Sequence, residues 1–171
     1  MKEKVYAGRS RIGLGLFAKM PIEPREVIFY VSGQVVTFEK CKSLPDEGEN
    51  SFQIGDDAYI DPGFPSRYIN HSCEPNAGMI DESTMVAISQ IAPGEEICFD
   101  YSTALLERYW EIDCKCDSLR CRGKIRDFDR IPAQIQNKYI RLGIVQRFIL
   151  ERVQQTRQLL PPLETARISV E

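Results

Sequence analysis

Three cysteines stand close together in Cys114-Lys-Cys116-Asp-Ser-Leu-Arg-Cys121, a C-x-C-x4-C pattern in a polar, turn-prone stretch. Thiols at this density cannot all pack as small hydrophobes; as thiolates they suit structural zinc, which takes four tetrahedral ligands. A fourth ligand must then come from elsewhere in the chain. Cys98 lies in apolar Ile97-Cys98-Phe99, where a buried inert thiol is expected, and Cys41 sits in polar Lys40-Cys41-Lys42 with nothing to distinguish it. Cys73 follows Asn70-His71-Ser72 in a Pro-bearing loop and is the chosen fourth ligand, with His71 as the alternative. Four thiolates would close the shell and leave no position to activate water, so the metal reads as structural. A reduced, metal-free cluster is the competing reading of the same spacing.

Three further blocks carry candidate chemistry: Gly13-Leu14-Gly15, Arg67-Tyr68-Ile69-Asn70-His71-Ser72-Cys73-Glu74-Pro75-Asn76, and Gly94-Glu95-Glu96-Ile97-Cys98-Phe99-Asp100-Tyr101. Taken singly each is bland. A lone Gly-x-Gly is a turn signal, an Asn-His pair is a satisfied loop, and a tyrosine after an apolar run is a strand aromatic. Their order along the chain gives them joint weight.

The elements that must position these blocks are short. From Val5 to about Ile112 the pattern is of strands and turns, including Val27–Val31, Val35–Thr37, Tyr59-Ile60 and Met85–Ile88, broken by Gly, Pro and Asp. Many short strands favour a compact, mainly β (α+β) domain over a parallel α/β sheet. The polar stretch from Thr37 to Asp57 is expected to hold a loop or a short helix. Beyond Asp129, Ile135, Tyr139, Leu142, Val145, Ile149 and Val153 recur at steps of three and four, one face of a helix. Gly143 is expected to split that pattern into two helices, with Pro132 in the first turn, Pro161-Pro162 as the stop and a loose tail after Leu163.

The 171 residues carry 22 Lys+Arg against 25 Asp+Glu, a net charge of -3, and 43% hydrophobic content. Disordered, collagenous and membrane-spanning classes are excluded, and one domain with a small appendage fits the length. The absence of a basic surplus argues against direct nucleic-acid binding and suits a basic protein partner. With no secretory h-region in Met1–Met20, an intracellular, reducing compartment is the default, where clustered cysteines are metal ligands more often than disulfides.

Read together, the three blocks resemble those of the SET-domain protein lysine methyltransferases, and Cys114-Lys115-Cys116 through Cys121-Arg122-Gly123 resembles the family's post-SET zinc motif. The likeness covers roughly Tyr6 to Phe128. It implies a SET fold with a pseudoknot, a post-SET zinc lobe held by Cys73, Cys114, Cys116 and Cys121, and C-terminal helices. The boundaries expected are 1–112 for the SET domain, 113–128 for the zinc-binding segment and 129–171 for the helical extension and tail.

The resemblance implies methyl transfer from S-adenosylmethionine to a lysine ε-amine of a lysine-bearing protein or peptide, histone-like or otherwise basic. Gly13, Leu14, Gly15, Arg67, Tyr68, Asn70, His71, Tyr101 and Ile125 would bind the cofactor, Leu14 standing where the family usually has Trp. Tyr101 would be the main catalytic residue, Tyr30 the second channel tyrosine, and Phe99 the residue whose size sets product number, here permitting di- or trimethylation. Ile125 and Phe128 would close over cofactor and substrate. Departures are Gln34 for Glu and an extra residue before Gly33 in the Tyr30 motif, Phe64 for Asn after Gly63, and a short Thr37–Asp57 region. The expected workplace is the cytoplasm of a bacterium, or the nucleus and chromatin of a eukaryote or host. A silent SET module that binds a lysine-bearing tail, and a zinc-stapled interaction module, are the rival classes.

Overall fold

A computed structural model of the chain describes residues 4–46 and 48–159. Strands β1 (Val5–Ser10) and β2 (Gly13–Ala18) form a hairpin in unbroken register from Val5↔Ala18 to Ser10↔Gly13. Its two-residue turn, Arg11-Ile12, delivers the chain into Gly13 at φ 127°, a conformation that favours a residue without Cβ. On the far side of β2 runs antiparallel β10 (Glu96–Phe99), and β10 pairs in parallel with the short β7 (Asn70–His71), giving the order β1-β2-β10-β7.

Two three-stranded sheets complete the barrel-like packing of the N-terminal part. One is β3-β9-β8, built from β3 (Val27–Tyr30), β8 (Ala77–Met79) and β9 (Thr84–Ala87); the other is β4-β6-β5, from β4 (Gly33–Val36), β5 (Phe52–Gly55) and β6 (Ala58–Pro62). Between the sheets lies a core in which Leu16, Ile22, Met79, Met85, Ile91 and Ile97 are all but inaccessible. Burial of each such side chain contributes about 1.5–3 kcal/mol. The protein is mainly β, as the turn-punctuated sequence predicts. Strand β5 was not legible, because Gln53 reads as an exposed polar residue. In the fold Gln53 is buried, donating to the Gly55 carbonyl at 3.0 Å and accepting the Leu106 N–H at 2.8 Å.

The Thr37–Asp57 region opens with a short helix, α1 (Phe38–Lys42), capped by Thr37 Oγ1 on the Lys40 N–H. It buries Cys41 with Val36 and Tyr59, so that cysteine is a packing residue. After a two-stranded ladder of β11 (Ile112–Asp113) and β12 (Lys124–Ile125) come α2 (Ala133–Leu142) and α3 (Arg147–Leu159). Gly143, left-handed at φ 67°, ends α2 by donating to the Ile140 carbonyl, and the helical pattern divides there as the sequence indicates. Both helices pack on the β domain around Phe128, Ile131, Tyr139, Ile144, Val145 and Ile149. Gly78 of β8 permits this docking, since a Cβ there would come within 2.7 Å of the Ile144 side chain. Pro161-Pro162 and the tail after Leu163 lie outside the described residues. Among those described, no helix is long and apolar enough to cross a membrane.

Candidate active site

The parallel β7/β10 pairing sets Cys98 beside Asn70 and Phe99 beside His71, joining two sequence blocks almost thirty residues apart. The Ser72 N–H continues the pairing onto the Phe99 carbonyl at 3.0 Å. Asn76 then clamps β10 by accepting the Cys98 N–H at 2.9 Å and donating to the Glu96 carbonyl at 2.8 Å. Tyr101 emerges directly from β10. Its backbone N–H donates to His71 Nδ1 at 3.2 Å, and its hydroxyl donates to the Ile69 carbonyl at 2.8 Å. The ring lies 4.9 Å from Phe99 and 5.3 Å from His71, centre to centre. Burial first, then the nearby Cys98 and Glu96, push the phenol well above its ordinary pKa, so the hydroxyl keeps its proton.

Two cavities adjoin at this tyrosine. One is a confined space of about 40 Å³ walled by aromatic groups, among them Phe52, Tyr59, Phe99 and Trp110. Phe99 stacks on Phe52 at 5.4 Å with the rings 14° apart, which fixes that wall. The other is an open cleft of about 780 Å³ lined by Leu14, Tyr68, Asn70, His71 and Ile125 among others. Tyr101, Arg67, Glu49, Asn50 and Ile112 line both. Such an arrangement has room for a slim apolar chain on one side and a larger polar molecule on the other, with one tyrosine lining both spaces.

The structure gathers most of the sequence candidates but changes what some of them do. Asn70 spends its amide on the protein, donating to Glu96 Oε1 at 2.6 Å, the Leu14 carbonyl at 3.0 Å and Ser10 Oγ at 3.2 Å. Gly15 makes that cluster possible, since a Cβ there would come within 2.4 Å of Glu96 Oε1 and 3.1 Å of Asn70 Nδ2. Gly13 and Gly15 do not line the cleft; Leu14 between them does, and it is 57% exposed. Arg67 stands where the cavities join, held by Asp46 at 2.8 Å and Asp61 at 3.1 Å. Ile125 is buried beside its strand partner Ile112, whereas Phe128 is withdrawn into the helical core.

Tyr30 is not brought to the site. It is 58% exposed at the end of β3 and lines neither cavity, because the buried positions here are Phe29 and Val31 on either side of it. Sequence reading also missed Phe52 and Trp110 as channel walls. The signal available was weak: the chain's single Trp next to Tyr109 in a loop otherwise rich in charge.

The cysteines form one cluster. Cys73 Sγ lies 3.8 Å from Cys114 Sγ, and Cys121 is within hydrogen-bond reach of both Cys114 and Cys116. The donor atoms of His71, Cys73, Cys114 and Cys116 all lie within 4.8 Å of one another, so two candidates compete for the fourth position. Cys121 is outside that group of four, and the hydrogen bonds of His71 give the ring another role. Nδ1 accepts the Tyr101 N–H, which leaves the proton of a neutral ring on Nε2, and Nε2 faces Cys73 Sγ at 3.4 Å as a donor. Burial, with Arg122 adding to it and Asp100 opposing, lowers the His71 pKa to about 4, so the ring is neutral. Backbone N–H groups also converge on sulfur: Arg122 on Cys73 and Gly123 on Cys121, both at 3.4 Å. Burial alone would raise Cys116, but backbone donors at Cys73 and Ser118 and the neighbouring thiols bring it down to about 7. Sulfur donors surrounded by N–H groups fit zinc, and the cluster can hold that ion.

Sheets joined by the parallel β7/β10 pairing thus set a slim aromatic channel beside an open cleft, with Tyr101 lining both. The chain belongs to the SET-domain family: the description "SET domain" matches residues 13–102, more than half of its length. It is similar to human histone-lysine N-methyltransferase 2D, 33% identical in an alignment 138 residues long that covers 71% of this chain and 2% of that protein. It is likewise 33% identical to Arabidopsis thaliana histone-lysine N-methyltransferase ASHH3 over 67% of this chain and 36% of that one. The chain therefore spans a small part of these relatives. A crystal structure of KRYPTONITE with mCHH DNA, H3(1-15) peptide and SAH superimposes with a TM-score of 0.58 at 25% identity, over 74% of this chain and 30% of that one.

Proposed function

We propose that this SET domain is a protein lysine methyltransferase that takes its methyl group from S-adenosylmethionine. The observation that carries the reading is that Tyr101 lines both the narrow aromatic channel and the open cleft. The relatives named above support it, as does the SAH held by the structural neighbour.

A lysine ε-amine, about 10.4 in pKa when solvated, costs roughly 4–5 kcal/mol to present as the neutral nucleophile at pH 7. Phe52, Phe99 and Trp110 oppose its charge by excluding water from the channel. Tyr101 directs its only proton to the Ile69 carbonyl, which leaves the hydroxyl lone pairs to accept from the amine and from polarised C–H groups. Nucleophile, reacting carbon and the sulfur that leaves would thereby stand in line, so that the N–C bond forms as the C–S bond breaks, an alignment that can supply about 7–11 kcal/mol of the barrier. S-adenosylmethionine, bound in the cleft beside Leu14, Tyr68, Asn70, His71 and Ile125, supplies the electrophilic methyl group. Cys73, Cys114, Cys116 and Cys121 would hold zinc, fixing the segment that leads to Ile125 against the end of β7, with His71 as a donor to Cys73. On this reading the SET domain spans 1–112, the zinc segment 113–128 and the helical extension the remainder.

The substrate class is a lysine in a basic protein such as a histone, in keeping with the chain's charge of -3 and the relatives' histone substrates. Incubation of zinc-loaded protein with S-adenosylmethionine and core histones, followed by mass spectrometry, tests the reading, with Tyr101→Phe alongside. Lysine methylation that falls sharply in the variant is the expected result. Cofactor binding without methylation of histones or of a whole-cell protein mixture would favour a silent lysine-binding module instead.

A further inference from the structure

The extension beyond the cysteine-rich segment reaches the Tyr101 turn through a buried side-chain contact, beside a backbone bond from the Gln146 N–H to the Thr103 carbonyl at 3.0 Å. Asp100, which precedes Tyr101, is 1% exposed, and its carboxylate accepts four hydrogen bonds. Oδ1 takes the Ser102 N–H at 3.1 Å and Arg122 Nη2 at 2.8 Å; Oδ2 takes Arg122 Nη1 at 2.6 Å and the Tyr139 hydroxyl at 2.9 Å. A carboxylate offers about four lone-pair sites, so Asp100 is saturated.

These donors come from three parts of the chain. Ser102 belongs to the 3₁₀ turn that begins with Tyr101, Arg122 directly follows Cys121, and Tyr139 sits in the middle of α2. Arg122 also links the parts sideways, its backbone N–H on Cys73 Sγ at 3.4 Å and Nη2 on Ser102 Oγ at 3.3 Å. Tyr139 is fully buried, its ring packed among Phe128, Ile144 and Ile149 and its hydroxyl 3.4 Å from the Cys73 carbonyl. One carboxylate is thus the common point of the tyrosine turn, the cysteine cluster and the C-terminal helices. A buried Asp–Arg pair adds little net stability and by itself leaves its position relative to α2 free. A third donor fixed on a packed helix removes that freedom.

We infer that Tyr139 is a positioning residue: through Asp100 and Arg122, α2 sets where the Tyr101 turn stands relative to the cysteine cluster. The inference rests on the methyltransferase reading for its effect on rate, but the contact also governs how firmly the cluster holds metal. Without the hydroxyl, Arg122 still joins the turn to the cluster, but α2 no longer fixes where that pair stands, and the catalytic tyrosine loses alignment before the substrate loses affinity.

Tyr139→Phe keeps the ring and removes the hydroxyl. Ile144→Val trims the same core and leaves the hydroxyl in place, so it serves as the packing control. Arg122→Lys, which keeps the charge but loses the two-pronged grip, is a second probe. All are studied zinc-loaded and well below their unfolding temperatures. Tyr139→Phe is expected to lower kcat about ten-fold with KM for a lysine peptide changed by less than about two-fold. It is also expected to release zinc to a colorimetric chelator several-fold faster. Arg122→Lys is expected to show both effects, and Ile144→Val neither. Wild-type zinc release and kcat in Tyr139→Phe would overturn the inference, as would equal losses in Tyr139→Phe and Ile144→Val that simply track melting temperature. If the parent protein transfers no methyl group, the methyltransferase reading fails by itself while the zinc-release comparison still decides the role of Tyr139.

Discussion

Glu107, in the loop that follows the Tyr101 turn, is the least comfortable charge in the described fold, and replacing it with Gln should stabilise the protein in a pH-dependent way. Both of its carboxylate oxygens are shielded from solvent and make no hydrogen bond of good geometry among the described residues, although the nearby N–H groups of Glu107, Leu106 and Trp110 favour the charged form. Burial, then the neighbouring negative charge of Asp127, raises its pKa from 4.5 to about 7. Holding the charge in the fold therefore costs roughly 3 kcal/mol more than holding it in the unfolded chain. The sign follows from linkage. Below the unfolded value of 4.5 both states are protonated and the penalty is absent; between 4.5 and about 7 the folded state binds the extra proton, so stability falls as pH rises; above about 7 the full penalty is present. A Gln side chain does not titrate. The stability gained by Glu107→Gln should grow by about 1.4 kcal/mol per pH unit across that window and then level off. Urea unfolding of both proteins, zinc-loaded, at several values between about pH 5.5 and 8.5 reads this directly, since other titrations cancel in the difference. A gain that is the same at every pH would refute the reasoning and place the carboxylate in water.

Other outcomes follow from the same geometry. Gly15→Ala forces a Cβ to within 2.4 Å of Glu96 Oε1 and 2.9 Å of Ser10 Cβ, so it should cost about 1–3 kcal/mol and weaken S-adenosylmethionine binding in calorimetry; unchanged binding would show that the Asn70–Glu96 cluster does not shape the cleft. Phe99→Tyr places a hydroxyl in the confined channel between Phe52 and Tyr101, and the product spectrum should shift toward monomethyl-lysine by mass spectrometry; an unchanged di- or trimethyl yield would show that this position does not set product number. Elemental analysis should find one zinc ion for the four-cysteine cluster, and its removal by chelation should abolish cofactor binding while far-UV circular dichroism changes little; retention of binding would separate the cluster from the cleft wall.

The contrast between Asn70 and Tyr30 shows how far the sequence reached. The Asn70–Cys73 and Phe99–Tyr101 blocks, each bland alone, were legible through their joint resemblance to a family, and the backbone pairing of β7 with β10 then brings them together. The Tyr30 motif departs by one residue, and in a strand one residue is the difference between inside and outside; the side chain faces solvent. Phe52 and Trp110 had no local signature, since a channel wall is defined by what stands opposite it.

The cysteine spacing and the helical periodicity split at Gly143 were determined by the sequence alone, because each rests on contacts among near neighbours in the chain, and the order of the three blocks is read directly from it. Tertiary structure decided the rest. It left His71 as a donor to Cys73, through the Tyr101 N–H on Nδ1, and it buried Gln53 and saturated Asp100 with Tyr139 from α2. The physical reason is common to all three: a polar group buried in a protein takes its role from the partner that satisfies it, and here those partners are 30 to 53 residues away in the chain.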